Sequence, residues 1–344
     1  TFTCAEVGAN TVTMTVTDVA GLTDVSSSTV TVVDDIPPAA ACQNITVQLD
    51  ETGSVTITGA DVDDGSSDAC GIASLVVAPN TFTCANVGPN TVTLTVTDNN
   101  GNFSTCSGVV TIEDVTPPVP VCQDITIQLN EAGNASITGA DIDGGSSDAC
   151  GIATLVESPN AFTCAEVGPN NVTLTVTDIN GNTNTCTAIV TIQDITPPEA
   201  ICQPITVQLD ASGNATITGN DIDNGSSDAC GIATFVASPN TFDCTNAGPN
   251  TVTLTVTDNS GNTSSCNTVV TVEDNIAPVA ICQDITVQLN SFGNVTILAS
   301  DVDNGSNDAC GIISRTVSPD AFTCDNVGPN AVTLTVTDVH GNVS

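Results

Sequence analysis

The sequence predicts an all-β chain of tandem β-sandwich repeats, each of about 80 residues, arranged as an extended rod. Three observations carry that expectation. Cysteines recur in register: Cys42, Cys122, Cys202 and Cys282; Cys70, Cys150, Cys230 and Cys310; Cys84, Cys164, Cys244 and Cys324; Cys106, Cys186 and Cys266. Thr and Val alternate through segments such as 91–97, and β-branched side chains suit a pleated, half-buried surface. No stretch repeats apolar residues at the 3.6-residue period of an amphipathic helix.

The elements follow in order along residues 115–194. Residues 121–129 place Ile125, Ile127 and Leu129 inward against Thr126 and Gln128, a half-buried strand. A turn at 131–134 leads into a short second strand, read as the hairpin partner of the first. Residues 139–151 are too rich in Gly, Asp and Ser for a regular element and read as a loop. A third strand over 152–158 precedes a Pro-Asn turn. The clearest strand, 171–178, sets Val172, Leu174 and Val176 on one face and threonines on the other. A tight Asn-Gly-Asn turn follows, and a final strand closes the unit. About seven short strands separated by such turns predict a sandwich of immunoglobulin type.

The period predicts five segments: 1–34, the later part of one repeat; complete repeats at 35–114, 115–194 and 195–274; and 275–344, a truncated repeat. The phase reads as a window cut from a longer repetitive protein. The junctions carry D-x-x-P-P, from Asp34 to Pro38, Asp114 to Pro118 and Asp194 to Pro198; the fourth runs Asp274-Asn275-Ile276-Ala277-Pro278. Short Pro-containing linkers restrict rotation between neighbours.

Composition narrows the function. Thirty-nine acidic residues face one basic residue, Arg315, for a net charge of −38. That balance disfavours nucleic acid and anionic membranes, and favours solubility and cation binding. With 2% aromatic residues and no Trp or Tyr, the core must come from Val, Ile and Leu, helped by Phe82, Phe162, Phe242 and Phe322. No run of 18 apolar residues predicts a membrane span. Sixteen cysteines without C-x-x-C pairs read as disulfides in an oxidising compartment, so the chain is expected to be extracellular or on a cell surface. His340, the single histidine, reads as a surface turn residue.

Several motifs in order resemble the hyalin repeat (HYR) domain: residues 114–129 with their D-x-x-P-P opening and following Cys, the SSDACG of 146–151, and the V-T-D-x-x-G-N turn before the last Cys-bearing strand. The resemblance implies an immunoglobulin-like fold and extracellular adhesion. Near-identical tandem copies resemble the large surface adhesins of bacteria more than animal proteins in which the domain sits among other modules. The Cys of the F-T-C motif and the low aromatic content depart from the family pattern. So do Leu22 and Ser26, which replace the turn Asn and the final Cys in 1–34.

Four cysteines per repeat allow three pairings. Cys4 is present while Ser26 replaces its fourth-series partner, which disfavours joining the third series to the fourth. The expected pairs are therefore Cys42–Cys106 and Cys70–Cys84. Their counterparts are Cys122–Cys186 and Cys150–Cys164, Cys202–Cys266 and Cys230–Cys244, and Cys310–Cys324. Chain entropy gives the long loop about 4 kcal/mol and the short one about 3 kcal/mol.

Each repeat also carries D-x-D-x-G-S-x-D or a close variant: Asp61, Asp63 and Asp68; Asp141, Asp143 and Asp148; Asp221, Asp223 and Asp228; Asp301, Asp303 and Asp308. Three carboxylates on a Gly/Ser loop suit Ca²⁺, which takes six to eight oxygens in loose geometry. The spacing is not an EF-hand, because Gly65 stands fifth rather than sixth and Ile72 stands where Glu would be. The same residues could equally build a turn. Asp98, Asn100, Asn102 and linker Asp114 are weaker ligand candidates.

The function expected is structural: an extender or stalk segment of a secreted or surface-anchored filamentous adhesin, stapled by disulfides and holding Ca²⁺. The alternative makes each repeat a glycan- or protein-binding module, although no Trp or Tyr is available to stack on a sugar. The acids sit together on a turn-like loop with no accompanying nucleophile or base, so no enzyme is expected. Expected partners are neighbouring repeats, other copies in a fibre, and an unidentified surface or glycan ligand. Sequons at Asn44, Asn134 and Asn214 would matter only in a eukaryotic secretory pathway.

Overall fold

The computed structural model describes residues Thr1–Ser344. The chain is all-β, and its sandwich is clearest in residues 35–114. Ahead of it, β1 (Gly8–Thr17) and β2 (Thr23–Val32) form an antiparallel hairpin. The repeat proper holds β3 (Ile45–Gln48), β4 (Ser54–Thr56), a one-turn helix α1 (Gly59–Val62), β5 (Ile72–Ala78), β6 (Thr81–Thr83), β7 (Gly88–Asp98) and β8 (Phe103–Glu113). One layer is a four-stranded sheet in the order β3-β8-β7-β5, and the other is the pair β4–β6.

β7 and β8 form the long hairpin, with Leu94 opposite Cys106. Val92, Leu94 and Val96 point inward and are fully buried, as the period-2 pattern requires. They meet Val110 and Ile112 from β8, Phe82 from β6, and Val62 from α1. Residues 195–274 repeat this arrangement, with Phe242, Val252, Leu254, Val256, Val270 and Val272 in the core.

Two sequence expectations differ from the structure. The second short strand does not pair with the first: β4 pairs with β6, and β3 runs parallel to β8, with Ile45 opposite Val110. The apolar alternation of β3 is the same in either pairing, so the pattern could not choose. The Asp-rich segment is also not irregular throughout. Its first four residues form a helical turn closed by a capping box, in which the Asp61 carboxylate accepts from the Thr58 backbone N–H and hydroxyl, both at 2.7 Å.

The chain divides into two compact units. One holds Thr1–Thr126, Ser136–Ala161 and Pro169–Thr191; the other holds Ile127–Ala135, Phe162–Gly168 and Ile192–Ser344. All seven disulfides lie within one unit or the other. Cys42–Cys106, Cys122–Cys186 and Cys202–Cys266 each close a single repeat, joining the segment before its first strand to its last strand.

The other four bridges overturn the local pairing expected of Cys70 with Cys84. The bonds are Cys4–Cys70, Cys84–Cys150, Cys164–Cys230 and Cys244–Cys310, each joining one repeat to the next. Accordingly, Cys150 does not pair with Cys164, nor Cys230 with Cys244, nor Cys310 with Cys324. The reason is the length of the sandwich. Cys70 lies at the end marked by the β7–β8 turn, where Asn99 donates to its carbonyl. Cys84 lies at the opposite end, beside Gly53 in the β3–β4 turn. An 11-residue strand such as β8 separates those ends by roughly 35 Å, whereas a disulfide spans Cα atoms about 5–6 Å apart. Cys282 and Cys324 form no disulfide, and both are exposed.

Gly53 shows how tight the bridged contact is. It adopts φ +72°, and a Cβ there would lie 2.7 Å from the Cys84 sulfur and 3.1 Å from Ala149 Cβ of the following repeat. Gly133 and Gly213 repeat the arrangement beside Cys164 with Ala229 and Cys244 with Ala309.

Candidate cation site at the repeat junction

The three aspartates of each D-x-D-x-G-S-x-D segment do not form one site. Asp61, Asp141 and Asp221 cap the helical turn, accepting from Thr58, Thr138 and Thr218. Asp301 does the same for the backbone N–H of Leu298. The Thr backbone N–H, then its hydroxyl, hold the carboxyls of Asp61, Asp141 and Asp221 below their ordinary value. Asp63, Asp143, Asp223 and Asp303 fold back on the next turn, accepting from the backbone N–H of Ser66, Ser146, Ser226 and Ser306. Asp303 also pairs with Arg315 at 3.0 Å. None of these eight residues belongs to a carboxylate cluster.

The third aspartate goes elsewhere. Asp68, Asp148, Asp228 and Asp308 accept from the backbone N–H of Cys70, Cys150, Cys230 and Cys310. That places them beside the linker aspartates. Carboxylate oxygens of Asp34 and Asp68, of Asp114 and Asp148, and of Asp194 and Asp228 lie within 4.8 Å of each other, with the adjoining cysteine sulfur in the same cluster. At the fourth junction Asp274, Asp308 and Asp338 converge in the same way.

The linker is locked by the β7–β8 turn and its counterparts. Asp98 is 1% exposed; its Oδ1 accepts from Asn100 N and Asn102 N, and its Oδ2 from the Asn102 amide. Burial raises its carboxyl, but the Asn102 side chain and the turn N–H groups outweigh that and hold it below its ordinary value. The Asn102 amide also reaches back to the Asp34 carbonyl at 3.0 Å. Asn182, Asn262 and Asn342 bond the carbonyls of Asp114, Asp194 and Asp274 identically. Asp98 and Asn102 are thus the residues that tie the linker to the sandwich, and Asn100 makes no side-chain bond of that kind.

The linker carboxylates then differ by junction. Each uses Oδ1 to accept a backbone N–H two residues on, Ile36 for Asp34 and Thr116 for Asp114. The Oδ2 atoms of Asp34 and Asp114 are buried and have no hydrogen-bond partner. At Asp194 that oxygen accepts from the Ser260 hydroxyl at 2.9 Å, and at Asp274 it meets His340 Nδ1 at 3.0 Å. His340 is therefore a junction residue and not the plain surface residue that its turn suggested.

The seven disulfides place the chain in an extracellular, oxidising setting. No helix is long and apolar enough to cross a membrane. No family model matches the chain. Hyalin of Strongylocentrotus purpuratus is 30% identical over 331 residues, which is 90% of this chain and 27% of that protein. The chain thus spans 27% of the length of that curated relative. Among solved structures, the protocadherin gamma B4 extracellular domain is 15% identical, with a TM-score of 0.31 over 97% of this chain and 65% of that one. An I-band fragment of titin is 9% identical, with a TM-score of 0.31 over 70% of this chain and 100% of that one.

Proposed function

The chain is built of hyalin-type repeats, and on that premise we propose that it is a spacer segment of an extracellular adhesive protein, its repeats carrying a binding region and not acting as one. The observation that carries this reading is the set of four disulfides that join each repeat to the next. A module built to bind a ligand has no need of such clamps, whereas a spacer must keep its units in fixed succession.

Side-chain chemistry agrees. Recognition surfaces are enriched in Trp, Tyr and Arg, and the chain has no Trp or Tyr and one Arg. The exposed Phe103 has Thr at the matching positions 23, 183 and 263, so no aromatic patch repeats along the chain. A bacterial filamentous surface adhesin is the setting that near-identical tandem copies suit best. Ca²⁺ enters the reading at the junctions, where carboxylates converge, and catalysis has no part in it.

The test is ligand retention. The immobilised 344-residue chain is expected to show no saturable binding on glycan arrays or to cell surfaces. Saturable binding that scales with the number of repeats would replace the spacer reading with the binding-module one.

A further inference from the structure

We propose that Asp114 and Asp148 together hold a divalent, oxygen-seeking cation of the Ca²⁺ class, that Asp34 and Asp68 hold a second, and that the fourth residue of the T-D-x-x-G-N turn decides which junctions are filled. This deepens the cation part of the proposed function, and the spacer role stands or falls separately by ligand retention.

Two independent observations meet at Asp114. Its carboxylate lies within 4.8 Å of that of Asp148, close to the span of two oxygens on one Ca²⁺ at about 2.3–2.6 Å each. Asp114 is also 9% exposed, and its Oδ2 is buried with no donor. A buried, unpaired carboxylate oxygen beside a second carboxylate is costly unless something positive joins it. Nothing in the chain can, because the single basic side chain, Arg315, is engaged with Asp303. Asp34 and Asp68 repeat the carboxylate pair, and although Asp34 is half-buried as a residue, its Oδ2 is likewise buried and unpartnered.

The donor set selects the ion. Cys70 and Cys150 are in disulfides, so their sulfurs are no thiolate ligands for zinc or copper. Carboxylate oxygens completed by water suit Ca²⁺. The other junctions show the alternative solution. Ser260 and His340, at the positions of Asn100 and Asn180, place a hydroxyl and an imidazole on the linker oxygen that the cation would use. The copies therefore differ at the turn position that contacts this oxygen.

Equilibrium dialysis of the 344-residue chain with radioactive calcium, in about 0.15 M NaCl to screen diffuse binding, tests this. Two bound ions per chain are expected. The double variant Asp34→Asn with Asp114→Asn should weaken binding at least ten-fold, and Asp61→Asn with Asp141→Asn should leave it unchanged. Asn100→His with Asn180→His, which leaves every site carboxylate in place, should weaken it as well. Circular dichroism and a count of disulfides by mass check that each variant folds. Absence of binding at millimolar calcium would overturn the proposal. Binding that survives the Asp34 and Asp114 changes would also overturn it, as diffuse attraction to the acidic surface.

Discussion

Phe82 is 1% exposed and is the largest side chain shared by the two layers of its repeat. Phe82→Ala should cost about 3–5 kcal/mol, read as a lower urea midpoint, because a cavity would replace the one aromatic of an aliphatic core. The helix-capping aspartates predict a pH response. Asp61, Asp141 and Asp221 have carboxyls held below their ordinary value of 3.8 by threonine donors. A carboxyl depressed in the folded state contributes stability in full above pH 3.8, and that contribution is lost as pH falls through the folded value. Replacing all three with Asn should lower stability at neutral pH and flatten its decline in acid, as measured by thermal melts across pH. Unchanged slopes would remove these caps from the acid limb.

At the scale of elements, periodicity made the long hairpin strands legible, since Val92, Leu94 and Val96 must share a face whatever they pack against. What it could not supply was direction along the sandwich. Cys70 and Cys84 are close in sequence, so a local loop looked natural, yet the intervening chain carries them to opposite ends. For the same reason Asp61, Asp63 and Asp68 looked like one ligand set, although a helical turn and an Asx turn divide them among three tasks. The linker aspartates were visible in D-x-x-P-P, and the matching reach of Asn102 back to Asp34 was not. The cross-repeat bridge has a direct check. A protease cut placed in the linker at 115–117 should leave the pieces joined on a non-reducing gel and separate them after reduction, because Cys84–Cys150 spans the cut. Separation without reductant would restore the local pairing.

For the whole molecule, a net charge of −38 with almost no compensating cations makes self-repulsion a general destabilising term. Raising NaCl from about 0.01 M to about 0.15 M shortens the screening length from about 30 Å to about 8 Å. Tm should rise over that range in the presence of a chelator; a flat response would mean that the carboxylates are too far apart to matter collectively. The alternating bridges have a mechanical consequence. From Cys4 to Cys150 the backbone covers roughly 150 residues, a contour length of about 500 Å if fully unravelled. The shortest covalent path is different: through Cys4–Cys70, along 70–84, and through Cys84–Cys150, with Cα–Cα spans of 5.1 and 5.2 Å at the bridges. With about fourteen residues of free backbone, that path cannot exceed roughly 60 Å. Cys164–Cys230 and Cys244–Cys310 impose the same limit from 164 to 310. Pulled from its ends, each half can lose its fold and gain almost no slack, so the tether behaves as a cord whose length is fixed by sulfur until a reductant cuts it.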